Sequence, residues 1–255
     1  MRHLVPFIKK ELRAYFYSPI AYIVAGVFLG LIGYFFYSSV QGFSMQAIQL
    51  AGSGQETSGF NPTNIIMKGL FRSMGTVFIL LTPLITMRLI AEEKRSRTME
   101  LLMTSPLSIT TIVAGKYIAA LIIYVIIILS TLYVPVVIEY YSTVSWPHVF
   151  AAYCGLILTG MAMISIGVFC SSVTDKQVIA SVLTIGILVL FWFVGGVIGG
   201  HTENISNIMR DLSLFSHFEN FYSGLFDTRD VVYLLSFTTT ALFLSHRSLE
   251  SGRWK

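Results

Sequence analysis

Six long apolar stretches alternate with short polar connections along the chain, at about 20–40, 73–87, 109–138, 149–172, 177–198 and 231–246. Each is continuous rather than alternating, so each predicts a helix apolar on all sides and not a barrel strand. At 1.5 Å per residue, about 20 such residues cross a hydrocarbon layer about 30 Å thick. The bodies of the stretches are read as free of Asp, Glu, Lys and Arg. The last is the shortest, and it lengthens if its helix starts at Asp227. That carboxylate then caps the first turn, and Asp230 sits at the positive end of the dipole.

Proline marks the joints. Ser18-Pro19, Asn61-Pro62, Ser105-Pro106 and Trp146-Pro147 place proline where a helix begins, with Ser18, Asn61 and Ser105 as N-caps. Pro83 and Pro135 lie inside apolar runs and predict kinks in the second and third helices. Before the first stretch, residues 1–17 read as an amphipathic helix lying in a membrane interface. Leu4, Val5, Ile8, Leu12, Tyr15 and Phe16 form one side, and Lys9, Lys10 and Arg13 the other. The competing reading is a cleaved signal peptide, but the apolar run is too long and ends in Tyr37-Ser38-Ser39-Val40, not a small-residue cleavage site.

Composition sharpens the class. Of 255 residues, 55% are hydrophobic and 12% charged, and the mean hydropathy is +0.73, outside the range of a soluble domain. Six crossings leave little chain for a separate soluble domain, so one membrane domain over 1–255 is expected. With the N terminus inside, the cytoplasmic side holds Arg2, Lys9, Lys10, Arg13, Arg88, Lys94, Arg95, Arg97, Lys116, Lys176, Arg247, Arg253 and Lys255. Only Lys68, Arg72, Arg210 and Arg229 fall outside. This asymmetry, thirteen against four, puts both termini in the cytoplasm. The net charge of +4 then suits anionic lipid headgroups, and its dispersion along the chain argues against nucleic-acid binding.

Candidate chemistry is sparse. Cys154 and Cys170 lie sixteen residues apart on one predicted helix, about 24 Å, too far for a disulfide. His3, His148, His201, His217 and His246 lack metal-ligand spacing, so no metal and no catalytic residue is expected. Gly26 with Gly30, Gly195 with Gly199, and Gly196 with Gly200 repeat the four-residue spacing that lets membrane helices approach closely. They serve either packing within the subunit or a dimer seam.

The run from Glu92 to Pro106 stands out between two apolar stretches. As a helix it would set Glu93 four residues before Arg97, and Arg97 one turn from Glu100, with Met99, Leu102 and Met103 as an apolar stripe beneath. Two acidic residues ahead of the basic ones exceed what a topology signal needs. A docking element toward a cytoplasmic partner is the sharper reading, an ordinary charged loop the plainer one.

Here the sequence resembles the permeases of ABC transporters of the ABC-2 type. The stretch Met87-Arg88-Leu89-Ile90-Ala91-Glu92-Glu93-Lys94-Arg95-Ser96-Arg97-Thr98-Met99-Glu100-Leu101-Leu102-Met103-Thr104-Ser105-Pro106 is similar to their cytoplasmic segment between the second and third helices. The tail, with His217-Phe218-Glu219-Asn220-Phe221, Gly224, Asp227, Arg229-Asp230 and Ser248-Leu249-Glu250, is similar to the branch containing the gliding-motility permease GldF and the copper-processing permease NosY. Where the family usually has Gly before Thr, this chain has Arg97.

The resemblance implies an all-α integral membrane protein of six transmembrane helices, with an N-terminal interface helix, a cytoplasmic coupling helix and short extracellular re-entrant helices between spans five and six. It implies a permease subunit that couples ATP hydrolysis by a separate subunit to export or to mechanical work. The expected partners are two cytoplasmic ABC ATPase subunits, which bind ATP and Mg, a second permease copy or paralogue, and membrane lipids, in a bacterial cytoplasmic (inner) membrane. The coupling region, residues 92–104, would place Glu92, Glu93, Lys94, Arg95, Arg97, Thr98, Glu100, Leu101 and Leu102 against the ATPase. Phe7, Lys10 and Glu11 would belong to the interface helix. His217, Phe218, Glu219, Phe221 and Arg229 would belong to the external region, 199–230. Gly26, Gly30, Gly195 and Gly199 would pack at the dimer.

The chain is not expected to be an enzyme, and no cofactor is expected in it. Its one Gly-Lys pair, Gly115-Lys116, lacks a glycine five residues earlier and a following Ser or Thr, so it is no phosphate loop. In the external stretch, Ile205, Ile208, Met209 and Leu212, then Phe218, Phe221, Tyr222, Leu225 and Phe226, recur at helical spacing and predict two short helices. Ser216-His217-Phe218-Glu219 matches a capping box. The alternative is a transporter driven by an ion gradient, which would ordinarily carry ionisable groups within its spans.

Overall fold

The computed structural model describes residues 4–52, 62–99, 108–141, 143–197 and 209–252, and among these residues every element is helical. In chain order the elements are α1 (Leu4–Tyr17), α2 (Pro19–Gly52), α3 (Pro62–Thr86), α4 (Ala91–Arg95), α5 (Ile109–Leu129), a 3₁₀ turn (Ser130–Leu132), α6 (Tyr133–Tyr141), α7 (Trp146–Val173), α8 (Gln177–Val197), α9 (Leu214–Tyr222) and α10 (Thr228–Gly252). Five segments are long and apolar enough to cross a membrane: Pro19–Met45, Ile65–Arg95, Ile109–Tyr141, Trp146–Val173 and Gln177–Val194. They coincide with the first five apolar stretches. α10 covers the sixth, but its Ser and Thr content and charged ends hold it below the others in hydropathy.

The helix starts follow the chain's punctuation. Ser18 accepts the amide of Ile20 at 3.4 Å with Pro19 in the first turn of α2. α5 begins at Ser108, whose hydroxyl accepts the amide of Thr111 at 3.2 Å; the expected caps Asn61 and Ser105 lie outside the described residues. α3 runs through Pro83 and ends three residues later, at Thr86. Pro135 has a clearer effect. Its missing N–H would have bonded to the carbonyl of Thr131, and there the helix tightens into the 3₁₀ turn between α5 and α6.

α7 is the centre of the bundle, with α3, α5, α8, α9 and α10 all packed on it. Small residues make this possible: a Cβ on Gly160 would lie 2.0 Å from the Tyr124 ring, and one on Gly167 2.1 Å from Thr86 Oγ1. Tyr124 threads its hydroxyl through this contact to the carbonyl of Leu156 at 2.9 Å. Around it Phe28, Phe71, Phe78 and Met74 are fully buried. α2 and α8, by contrast, leave most of their apolar surface open, including Tyr22, Ile23, Val27, Val178 and Val182. On α2, apart from the helix's own backbone and chain neighbours, no atom of the described residues lies within 4 Å of where a Cβ would stand on Gly26 or Gly30, so neither serves a close contact among them.

One end of the bundle gathers α1, the turn after α3, α4, the start of α5 and the junction of α7 with α8. The end of α10 joins them, since Ser248 donates its hydroxyl to the carbonyl of Ser172 at 3.1 Å. The opposite end holds α9 and the start of α10. There a ring nitrogen of His148 lies 2.9 Å from the carbonyl of Tyr222.

Candidate functional site

α1 is amphipathic, but its packed face differs from the expected one. Phe7 and Glu11 are buried, Leu12 and Tyr15 are packed against the core, and Val5 and Phe16, placed on the apolar side from sequence, point outward. The reason is a contact specific to α5. Phe7 packs the Cδ1–Cε1 edge of its ring against Gly115, where a Cβ would stand 2.4 Å from it, and Glu11 turns inward one turn later. Tyr15 adds a second anchor, donating to the carbonyl of Ile85 at 2.9 Å. Burial and then the Glu11 carboxylate push the Tyr15 phenol well above the usual range, against the pull of Arg88.

The next residue after Gly115 corrects the expectation that the third apolar stretch is uncharged. Lys116, the eighth residue of α5, is 2% exposed, and its ammonium lies 2.7 Å from Glu93 Oε1 and 3.3 Å from Glu11 Oε2. Three elements, α1, α4 and α5, therefore meet at one buried cation. Glu93 Oε2 is buried too, without a hydrogen-bond partner among the described protein groups. A polar cleft of about 340 Å³ opens beside the trio, bordered by Lys10, Tyr15, Arg88 and Glu92.

The coupling region expected within 92–104 is broken by a turn at Ser96–Arg97: Thr98 and Met99 are helical again, residues 100–104 lie outside the described residues, and its first part is α4. α4 spans five residues and is held at its start by a neighbour, not by its own cap. Ser171 Oγ of α7 accepts the amides of Ile90 and Ala91 at 3.1 and 3.0 Å, and Lys94 reaches the carbonyl of Ser172. It stops because Arg97 adopts φ 57°, the left-handed region, where among the described residues no other non-glycine residue is found. Arg97 N donates to the carbonyl of Lys94 at 3.2 Å and Thr98 Oγ1 to that of Glu93 at 3.3 Å, closing the helix end in the manner of a Schellman cap. So the residue standing where the resembled permeases have glycine takes a glycine conformation. The expected Glu93 to Arg97 pairing is overturned, because Glu93 turns inward to Lys116.

The placement of the other expected contacts follows. Glu92, Arg95, Arg97 and Thr98 are exposed, and Glu92 Oε2 lies 3.8 Å from Arg88 Nε. Lys94 is half-buried and Met99 buried, while Glu100, Leu101 and Leu102 lie outside the described residues. Lys10 is exposed, its ammonium 5.9 Å from the centre of the Phe7 ring. For the glycines, Gly199 lies outside the described residues, and Gly195 is placed only as part of α8.

At the opposite end, His217 is bound on both sides. Its Nδ1 is 2.6 Å from Asp230 Oδ1 and its Nε2 2.9 Å from the carbonyl of Asp211. Its ring stacks on Tyr233 with centroids 3.9 Å apart, and Asn220 donates to Asp230 Oδ2 at 2.9 Å. Phe218 and Phe221 are fully buried, and Arg229 is exposed with its amide donated to Asp227 Oδ1 at 2.9 Å, the cap expected for α10. The capping box at Ser216 and Glu219 is corrected. α9 starts three residues earlier, capped by Ser213, whose hydroxyl accepts the amide of Ser216 at 3.4 Å. Burial and the Glu219 carboxylate instead push the Tyr222 phenol up to about 12. α9 ends where Gly224 takes φ 85°, with Gly224 N bonded to the carbonyl of Phe221 and Leu225 N to that of Asn220. Leu225 and Phe226, expected on the same helix, fall beyond this cap and are exposed.

Lys116, Asp230 and Ser171 are the residues that sequence reasoning missed as partners. Lys116 had a signal, a lone charge in an otherwise apolar run. Asp230 and Ser171 had none, since their partners are distant in sequence or on another helix. Among the described residues, no group of three or more His, Cys, Asp or Glu is placed to hold a metal ion. The family model described as ABC-2 family transporter protein matches residues 5–246. None of the curated proteins matches the chain significantly.

Proposed function

The chain belongs to the ABC-2 family of transporter proteins, a multi-pass membrane permease component that works with ABC ATPase subunits, and from this premise we propose that α4 and its flanks are the surface through which a cytoplasmic ATPase drives it. The observation that carries this reading is the buried junction of Glu11, Glu93 and Lys116. It ties α4, at the end of the second candidate span, to α1 and α5. A push on α4 reaches the membrane helix α5 directly, through the contact of Glu93 with Lys116. Glu92, Arg95, Arg97 and Thr98 remain exposed around it for a partner.

In the full assembly, two ATPase subunits carrying ATP and Mg sit beneath two permease chains, and hydrolysis serves export or mechanical work. α10 is the sixth span. At 25 residues it is about 37 Å long, enough to cross, and its end lies beside Ser172 with the other cytoplasmic elements. Both termini are then cytoplasmic, in a bacterial inner membrane, and α9 is a re-entrant helix of the outer side. The open faces of Gly26 and Gly30 on α2 suit the seam with a second copy. The quoted tail residues favour the GldF and NosY branch.

The ion-gradient alternative draws on Lys116, an ionisable group within a span. Its ammonium is closed off by two carboxylates near one end of the bundle, whereas a gradient-driven site belongs near the midplane.

The test is co-purification of the chain with the ATPase subunit of its complex. The double variant Glu92→Arg/Arg95→Glu, both positions exposed, is expected to reduce recovery of that subunit at least tenfold with unchanged thermal stability. Undiminished recovery would remove α4 from the contact. Glu93→Arg is the poorer probe, since it would also break the buried trio.

A further inference from the structure

A buried ammonium usually answers one carboxylate, but Lys116 answers two, from two different elements. The tight arm runs to Glu93 on α4 at 2.7 Å and the loose arm to Glu11 on α1 at 3.3 Å. The trio holds one cation and two carboxylates, and Glu93 has an oxygen left without a partner among the described residues. Such an arrangement is a poor source of stability, because desolvating three charges offsets most of their attraction and an apolar substitute is often as stable.

We propose that Lys116 is a positioning residue acting as a two-position latch, its ammonium held by Glu93 in the arrangement described here and passed to Glu11 when α4 is drawn away from the bundle. The proposal rests on the permease reading above. Its physical basis is that losing one arm of a shared ammonium leaves another charge-assisted bond in place. Displacing α4 then costs the difference between two arms, not an entire buried pair. Lysine suits the role, with a flexible four-carbon stem and three rotatable donors where arginine has a rigid fork. The adjoining cleft gives the ammonium room to turn. The two carboxylates also differ in how firmly they are seated. Glu11 is fixed by Phe7 against Gly115 and by Tyr15 on Ile85. Glu93 rides on a five-residue helix held by Ser171 and Ser172.

Two measurements decide it. In the first, thermal unfolding of the purified full-length chain compares Glu11→Gln, Glu93→Gln and the double variant. A latch predicts a small fall in Tm for each single change and a fall for the double well beyond their sum, since either carboxylate alone can hold the ammonium. If Glu93→Gln equals the double and Glu11→Gln is silent, Lys116 belongs to a fixed pair and the latch is wrong. In the second, the triple variant Glu11→Gln/Glu93→Gln/Lys116→Met is assembled with the ATPase subunit. The expected result is wild-type recovery and Tm, but at least a tenfold loss of the ATP turnover that depends on the permease. Wild-type turnover in that folded triple variant would overturn the coupling role. A wild-type chain that binds no ATPase subunit would instead overturn the partner reading, and the first measurement would still decide the two-position ammonium.

Discussion

At the residue scale, a few backbone and side-chain positions decide whether the junction of α1, α4 and α5 forms. Arg97 sits at φ 57° and closes α4, a conformation that costs an L residue about 1–2 kcal/mol and glycine almost nothing. Arg97→Gly is therefore expected to leave Tm at or slightly above the wild-type value, the relief being partly offset by the greater freedom of an unfolded glycine. Arg97→Val, β-branched in the same conformation, is expected to cost about 1–2 kcal/mol. Equal melting of the two variants would show that the turn is not in that conformation. Gly115 is the second position. Adding a methyl there meets the Phe7 ring at 2.4 Å, so Gly115→Ala is expected to cost about 1–3 kcal/mol through overpacking. Phe7→Ala in the same chain should recover part of that loss, and strict additivity in the melting of the two changes would contradict the contact. Neither position was legible as such. Arg97 could be flagged by its departure from the resembled motif, but the contact of Gly115 depends on a helix one hundred residues earlier.

At the scale of elements, the starts of α2 and α10 were readable because they rest on local chemistry. Ser18 and Asp227 cap their own chain, and Pro135 acts on a carbonyl four residues away, whereas the cap of α5, Ser108, was not among the expected ones. Short elements were harder, since their ends are settled by neighbours. α4 borrows its N-terminal acceptor from Ser171, and α9 starts at Ser213, whose hydroxyl also donates to the carbonyl of Trp192 at 3.1 Å. The pairing of α9 with α10 yields a further prediction. Asp230 is 4% exposed and takes bonds from both His217 and Asn220. Asp230→Ala leaves both donors without their acceptor, and a loss of about 1–3 kcal/mol is expected. Limited proteolysis should show faster cleavage across 223–228, where α9 gives way to α10. Unchanged cleavage and melting would remove Asp230 from the role of joining them.

At the scale of the whole molecule, the question is which ends share a side. Ser248 beside Ser172, with α1 and α4 nearby, puts α1 and the end of α10 at one end of the bundle. With Cys154 and Cys170 replaced, single cysteines at Lys9 and Ser251, both exposed, are expected to react with an impermeant thiol reagent only from the cytoplasmic face of sealed vesicles. Labelling at Leu225 is expected only from the other face. Opposite sidedness for positions 9 and 251 would mean that α10 does not cross.

Sequence alone determined the membrane class, the places of the long helices and the asymmetry of basic residues. Each depends on composition summed over about twenty residues or on contacts within one turn. Tertiary structure decided what the charged groups do. Glu93, expected to pair along its own helix, turns to Lys116, and Lys116, expected to mark only a cytoplasmic edge, becomes the cation that joins α1, α4 and α5. The physical reason is burial. In water a charge pairs weakly with whatever lies one turn away, whereas an ammonium enclosed among helices must be met by the carboxylates that packing brings to it. Which carboxylates those are depends on how Phe7 seats on Gly115 and on how Ser171 holds α4, contacts between segments far apart in the chain.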